Sequence, residues 1–400
     1  MMTVFVADKL PKKALDELEE LGVEVHYKPE ANSSELDKGL DDTDVLIVRS
    51  TIVTENCIRK SPRLMLIIRA GAGVNNIDIE AASNSGIYVA NCPGKNSIAV
   101  AELTMGLILS LDRFIAENVH DFRNGNWNKA GYSKADGIFG KTLGVVGVGQ
   151  IGREVIKRAK SFGLNVIAWS RSLTPEMAEE MGVEYEDNVL AVAKQSDILT
   201  VHLAMTPDTK NIISKAVLSS LKDGACFINT ARAGVVDEDA LFEELKSGRI
   251  KAGLDVLNDE PDYKNGTVKS RFQELDNVYV SHHIGASTQQ AQLSVASDAV
   301  DIVRGYLLEG KVRNWLNRCE HTEAPWKLIV RHYDKPGVIA NVMQELKEAD
   351  INAQELENVI FEGKKTACCT IQLDAKPSDK TFNSIRTRQD EVISAMLIER

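Results

Sequence analysis

The chain has 400 residues, 44% hydrophobic and 26% charged, with a formal net charge of −11. That length suggests two or three domains with room for separate cores, and the acidic balance argues against nucleic acid or an anionic membrane as a general partner. An anionic ligand would therefore need a few locally placed arginines or lysines.

No run of about eighteen apolar residues occurs, and the opening "MMTVFVADKL" lacks a basic segment followed by an apolar stretch. The sequence thus reads as cytoplasmic, without a membrane span. The six cysteines show no C-x-x-C spacing and read as reduced thiols; no metal site is expected.

In chain order, "TVFVAD" reads as a strand, "PKKALDELEELG" as a helix stopped at Gly22, and "VEVHY", "DVLIVRS", "LMLIIRAGAGVNNID" and "GIYVANCPG" continue the alternation. Strands alternating with helices predict a parallel sheet covered on both faces. From 97 to about 121 the pattern predicts one long helix. Its first half is apolar nearly all round, so it should be buried against another domain or subunit. A second alternating set follows: "TLGVVGVG", "NVIAWS", "ILTVHLA", "ACFINTA", "IKAGLDVL" and "NVYVSH". After "RNWLNRCEHTEAP" the pattern changes to β-α-β-β-α-β over roughly 75 residues, a ferredoxin-like third domain.

"GVVGVGQIG" contains Gly147-x-Gly149-x-x-Gly152 between a strand and a helix, the context a dinucleotide fingerprint requires. Gly147 permits the tight turn, Gly149 the approach of a pyrophosphate and Gly152 close helix packing, while the helix N-terminus offers free N–H groups. An NAD site usually places an acid after the second strand, about twenty residues on. Here Ser170 and Arg171 stand there. They would accept the 2′-phosphate of NADP; alternatively Arg171 is solvated or lies along the adenine and NAD still binds.

Arg232, in "INTARAGVVDEDAL", sits in a loop at the carboxyl end of a strand and offers a fork for a carboxylate. "AGLDVLNDEP" ends the next strand with Asp255 and Glu260, and "NVYVSHHIGAST" ends another with His282 and His283, two of only seven histidines. A carboxylate beside a histidine raises its pKa and orients it for proton transfer. Period-2 alternation puts the two histidines on opposite faces and does not choose between them.

"VVGVGQIG", "INTARAGVVDE", "GLDVLNDEP" and "SHHIGAS" stand in the order and spacing of the D-isomer-specific 2-hydroxyacid dehydrogenases, which the chain resembles. That family's last motif is Thr-Pro-His-x-Gly. The resemblance therefore aligns Ser281 with the Thr, His282 with the Pro and His283 with the acid–base histidine. It implies that Arg232 clamps the substrate carboxylate, that Glu260 tunes His283, and that Gln150, Ile151, His202, Thr230, Ala231, Asp255, Gly285 and Ala286 join the cofactor contacts. "DVLIVRSTIVTENCI", "IIRAGAGVNNID" and "KNSIAVAELT" are similar to the D-3-phosphoglycerate dehydrogenase branch. There Arg49, Ser50 and Asn96 would hold a phosphate, and N–H groups around Ala72 and Gly73 a carboxylate. The tail resembles an ACT domain, with His332, Asp334 (in place of the usual Asn) and Asn352 at an effector site for L-serine. Two departures stand out: Ser170 where NAD users carry an acid, and "RSTIVTE", one residue shorter than the commoner phosphate stretch.

The expected architecture is α/β, with a discontinuous flavodoxin-like substrate domain (1–97 and 284–318), a Rossmann domain (98–283) and a ferredoxin-like ACT domain (325–400). The expected reaction is NAD(P)-dependent oxidation of 3-phospho-D-glycerate, the first step of L-serine biosynthesis, in a homodimer or homotetramer. The alternatives are an NADPH-dependent glyoxylate or hydroxypyruvate reductase, which would generally lack the ACT tail, and a redox-sensing corepressor on the same fold, which would carry a disordered Pro-rich tail instead.

Overall fold

The computed structural model describes residues 1–261, 266–319 and 323–400, which form two compact units, 1–317 and 318–400.

The first unit contains two parallel sheets. β1 (Thr3–Val6), β2 (Glu24–Tyr27), β3 (Val45–Val48), β4 (Leu66–Arg69) and β5 (Tyr88–Asn91) line up as β2-β1-β3-β4-β5. β6 (Thr142–Val146), β7 (Asn165–Trp169), β8 (Glu184–Tyr185), β9 (Ile198–Val201), β10 (Cys226–Asn229), β11 (Lys251–Leu254) and β12 (Val278–Val280) line up as β12-β11-β10-β9-β6-β7-β8. Every pairing in both sheets is parallel.

Both faces of each sheet are covered, which is why these strands are apolar without alternation. Val4 and Val6 enter one core cluster while Phe5 and Ala7 enter another on the opposite face. The first of these clusters also takes Val295, Ala299 and Val303 of the helix Gln289–Glu309, so the chain returns to the first sheet after completing the second.

The single helix expected from 97 to about 121 is two helices, Ser97–Arg113 and Ile115–Arg123. They are separated by Phe114, whose φ of 51° lies in the left-handed region and ends the first helical ladder. The apolar first helix is buried, but by its own unit. Leu107, Ile108 and Leu111 pack in the core shared with the helix Gln150–Ser161, beneath β10 and β11. Exposed apolar side chains stand at Ile98 near the start of the first helix and, after the break, at Ile115, Val119, Phe122 and Trp127.

In the second unit β13 (Trp326–Tyr333), β14 (Ala353–Ile360), β15 (Thr366–Leu373) and β16 (Val392–Glu399) form an antiparallel sheet in the order β14-β15-β13-β16. The helices Val338–Glu348 and Asp379–Arg386 complete the expected β-α-β-β-α-β order. Leu328, Val330, Cys369 and Ile371 from the sheet meet Val342, Leu346 and Ile385 from the helices in one core.

Gly147 has a φ of 101°, and a Cβ on Gly152 would stand 2.1 Å from the Gly147 carbonyl oxygen. Strand and helix can approach this closely only without that carbon. Gly152→Ala is expected to lower the unfolding free energy by about 1–3 kcal/mol, read from urea denaturation, because backbone rather than a side chain must shift.

Candidate active site

The turn after β6 presents free backbone to a ligand. Gly149 is the N-cap of the helix Gln150–Ser161; no side chain caps that end, and no acid stands in its first turn. A Cβ on Gly149 would meet nothing within 4 Å. These features fit a pyrophosphate, whose charge the helix dipole and its N–H groups would favour. Ile151 packs against the core, and Gln150 reaches the loop at Gly94, where a Cβ would fall 1.4 Å from its Oε1. Both would thus meet a cofactor through backbone.

Ser170 and Arg171 follow β7, as expected. Arg171 is exposed, with Nη1 3.9 Å from Asp208 Oδ2. His202, just past β9, is buried beside the turn, and a Cβ on Gly147 would approach its carbonyl oxygen to 2.6 Å. Burial pushes its imidazole down to about 3, so the ring is neutral. Nε2 meets the Thr200 hydroxyl at 3.0 Å, whereas Nδ1 is buried without a partner.

Several expected cofactor contacts also hold the scaffold together. The Thr230 hydroxyl is spent on Thr104 at 2.9 Å, and the Ala231 N–H donates to Asn229 Oδ1 at 3.0 Å. Asp255, 2% exposed, is the centre of a knot. Its Oδ1 accepts from the Ser281 hydroxyl (2.6 Å) and the Ile284 N–H (2.9 Å), its Oδ2 from the Gly285 N–H (2.8 Å), and its carbonyl from the His283 N–H (2.9 Å). A buried carboxylate needs such donors, and here they satisfy it from one turn.

That knot decides between the two histidines. β12 ends at Val280, so strand alternation does not reach them, and His283 takes a φ of 52° within the turn. His283 Nδ1–H donates to Glu260 Oε2 at 2.8 Å, and Glu260 Oε1 accepts the Leu257 N–H at 2.9 Å. Burial would raise the Glu260 carboxyl; the His283 ring, the Leu257 N–H and the nearby Arg232 charge outweigh it and hold the group below its usual range. Glu260 is therefore ionised, Nδ1 carries the proton, and Nε2 is the ring atom left for chemistry.

His283 and Ala286 line a cavity of about 260 Å³ together with Arg49, Ser50, Arg69 and Asn96. A larger hollow of about 380 Å³ lies among residues 118–133, away from the glycine turn and the histidine–glutamate pair. The smaller one is the cavity onto which His283 opens.

Arg69, the last residue of β4, was not singled out by the sequence patterns. Its Nε is buried without a partner, and its Nη1 lies over Gly71, where a Cβ would be 1.5 Å away. Burial, then the charges of Arg232 and Arg49, bring its pKa down to about 10. Arg232 Nη1 donates to its own loop at Ala231 O (2.7 Å), while its Nη2 reaches Gly73, whose Cβ would be 2.4 Å distant. Ala72 lies beside Gly73, and its carbonyl accepts the Asn91 amide at 2.6 Å. Among the described residues no carboxylate ion-pairs with Arg49, Arg69 or Arg232 within 4.0 Å. Cations left without a carboxylate partner at the ends of parallel strands can receive an anion. The available signal was the position of Arg69: like Arg232, it ends a buried parallel strand where ligands bind.

The expected effector residues do not meet within the second unit. His332 is 2% exposed, with Nδ1 on the Tyr333 carbonyl (2.7 Å) and Nε2 on Asn358 Oδ1 (3.0 Å). Asp334 is exposed beyond β13. Asn352 precedes Ala353, which pairs with Leu373 opposite Trp326, whereas Tyr333 pairs with Thr366 at the other end of the sheet. One copy of the unit thus does not assemble the three.

Residues 105–285 match the family described as D-isomer specific 2-hydroxyacid dehydrogenase, NAD binding domain. The chain is 39% identical over 365 residues to D-3-phosphoglycerate dehydrogenase of Methanocaldococcus jannaschii, covering 89% of this chain and 67% of that protein. It spans smaller shares, down to 56%, of other phosphoglycerate dehydrogenases. It is 41% identical over 303 residues to hydroxypyruvate reductase of Thermotoga maritima, covering 74% and 96%. A crystal structure of a Thermus thermophilus protein matches with a TM-score of 0.70 at 32% identity, covering 79% of this chain and all of that one. Among the described residues no helix is long and apolar enough to cross a membrane. With its glycine turn, its histidine–glutamate pair and these matches, the chain belongs to the D-isomer-specific 2-hydroxyacid dehydrogenases, oxidoreductases built on an NAD-binding domain.

Proposed function

We propose that the protein oxidises 3-phospho-D-glycerate to 3-phosphohydroxypyruvate, the entry step to L-serine. The observation that carries this reading is the group of unpaired guanidiniums around His283: a substrate with a carboxylate and a phosphate would pair them, and a singly charged one would leave some unpaired. Arg232 and the N–H groups near Ala72 and Gly73 would hold the carboxylate; Arg49, Arg69 and Asn96 would face the phosphate. His283 Nε2 takes the hydroxyl proton, and ionised Glu260 holds the ring and stabilises the imidazolium that forms. The bound nicotinamide supplies the hydride acceptor. In this reading 1–97 with 284–318 is the substrate domain, 98–283 the dinucleotide domain and 325–400 an ACT regulatory domain.

A second reading, an NADPH-dependent glyoxylate or hydroxypyruvate reductase, is favoured by Ser170 and Arg171 and by the similarity to the Thermotoga maritima reductase. Reduction of 3-phosphohydroxypyruvate, hydroxypyruvate and glyoxylate, with NADH and NADPH side by side, separates the two. Higher kcat/KM on the phosphorylated acid is expected, and preference for either unphosphorylated acid would overturn the first reading. If Arg171 takes the 2′-phosphate, Arg171→Ala will weaken NADPH by about tenfold while moving NADH little, as loss of one charged contact does.

His283→Asn should lower kcat by about 10²–10⁴ with little change in cofactor affinity, since one acid–base group contributes on that order. His282→Asn should stay near wild type; an equal loss there would refute the assignment.

A homodimer or homotetramer is proposed through the exposed side chains of Ile115, Val119 and Phe122, which share one face of the helix Ile115–Arg123, with Trp127 beyond it. Phe122→Glu is expected to reduce the mass found by light scattering to that of a smaller assembly. An unchanged mass would place the contact elsewhere.

A further inference from the structure

The five-stranded sheet holds a second buried carboxylate that the chemistry above does not use. Asp8 follows the end of β1 and is 5% exposed. In the sheet β1 lies beside β3, and the loop leaving β3 carries Arg49, Ser50 and Thr51. Asp8 Oδ2 accepts the N–H groups of Arg49 (2.7 Å), Ser50 (3.0 Å) and Thr51 (3.0 Å), and Oδ1 accepts the Ser50 hydroxyl (2.7 Å). Burial would push its carboxyl up, but the Arg49 N–H, the Ser50 hydroxyl and the Thr51 and Ser50 N–H groups more than offset it and hold it below the ordinary range. Asp8 is therefore an anion under a loop whose side chains line an anion cavity.

The consequence concerns what is left for a ligand. Three consecutive N–H groups could have formed a cradle for a phosphate. Here all three N–H groups and the Ser50 hydroxyl are spent on Asp8, and the Thr51 hydroxyl donates to the Ala31 carbonyl at 3.2 Å. The side chain of Arg49 is the group of this stretch that still lines the cavity with an unspent charge. The loop of "RSTIVTE" is thus fastened from beneath by Asp8. Asparagine is a poor replacement: its one carbonyl would have to accept all three N–H groups without a charge, and its NH₂ would force the Ser50 hydroxyl to turn from donor to acceptor.

We propose that Asp8 is a positioning residue for the distal anionic group of the substrate, fixing the 49–51 loop so that the Arg49 guanidinium, and neither the loop N–H groups nor the Ser50 hydroxyl, receives that group. The proposal rests on the reading of a phosphorylated substrate.

The test uses the purified full chain and compares kcat/KM for 3-phosphohydroxypyruvate with that for hydroxypyruvate, in wild type, Asp8→Asn and Ser50→Ala. The phosphorylated-to-unphosphorylated ratio is expected to fall about tenfold or more in Asp8→Asn and less than about threefold in Ser50→Ala, because a misplaced guanidinium costs more than one lost loop bond. Equal loss on both substrates in Asp8→Asn would mean that the carboxylate only supports the fold, and would overturn the proposal while leaving the substrate reading intact. A tenfold fall in Ser50→Ala would mean that the hydroxyl meets the phosphate directly, and would overturn it too. That arm decides the matter alone if Asp8→Asn does not fold. A wild-type enzyme that prefers the unphosphorylated acid would overturn the substrate reading and this proposal together.

Discussion

The active geometry depends on a carboxylate buried at the end of a parallel strand that captures donors from the loop of a nearby strand. Asp255 does this beyond β11, fastening residues 281–285 that follow β12. An ionised carboxylate out of water is costly unless donors surround it, and a loop of free N–H groups is equally costly unless something accepts them. Each cost is relieved by the other, so the turn has one low-energy arrangement. The left-handed His283 is held within it, which sets the ring where Glu260 can receive its Nδ1 proton. Asp8 repeats the device beyond β1, in the other sheet.

The second constraint is electrostatic. The chain is strongly acidic overall, yet its cavity is lined by Arg49 and Arg69, with which no carboxylate ion-pairs among the described residues. Arg69 shows the tension: its Nε is buried and unsatisfied, and two neighbouring guanidiniums help burial bring its pKa down to about 10. Such an arrangement is unfavourable in the empty protein and becomes favourable when an anion arrives.

Much of this was legible in the residues. The parallel sheets follow from unbroken apolar runs, the third unit from its strand and helix order, and the dinucleotide turn from three glycines between a strand and a helix. The family motifs placed Arg232, Glu260 and His283 together, and the structure brings His283 and Glu260 into contact with Arg232 close by. Other features lie beyond what pattern along the chain can decide. A helix apolar on all sides looks the same whether its own domain or a second subunit buries it, so Ser97–Arg113 was open to both. A carboxylate after a strand of a ligand-binding sheet reads as a ligand contact, and pattern does not show that Asp255 also fastens a turn.

The sequence by itself determined the elements, their parallel or antiparallel character and the residue types able to do the chemistry, because periodicity and turn residues act locally. Tertiary structure alone decided which histidine faces the cavity, because β12 ends two residues before the pair and a long-range carboxylate sets the turn. It also decided that Arg69 joins Arg49 and Arg232, since their loops leave different strands and meet only when both sheets are folded. It separated Asn352 from His332 for the same kind of reason: strand register fixes distance along a sheet, and pattern along the chain does not contain it.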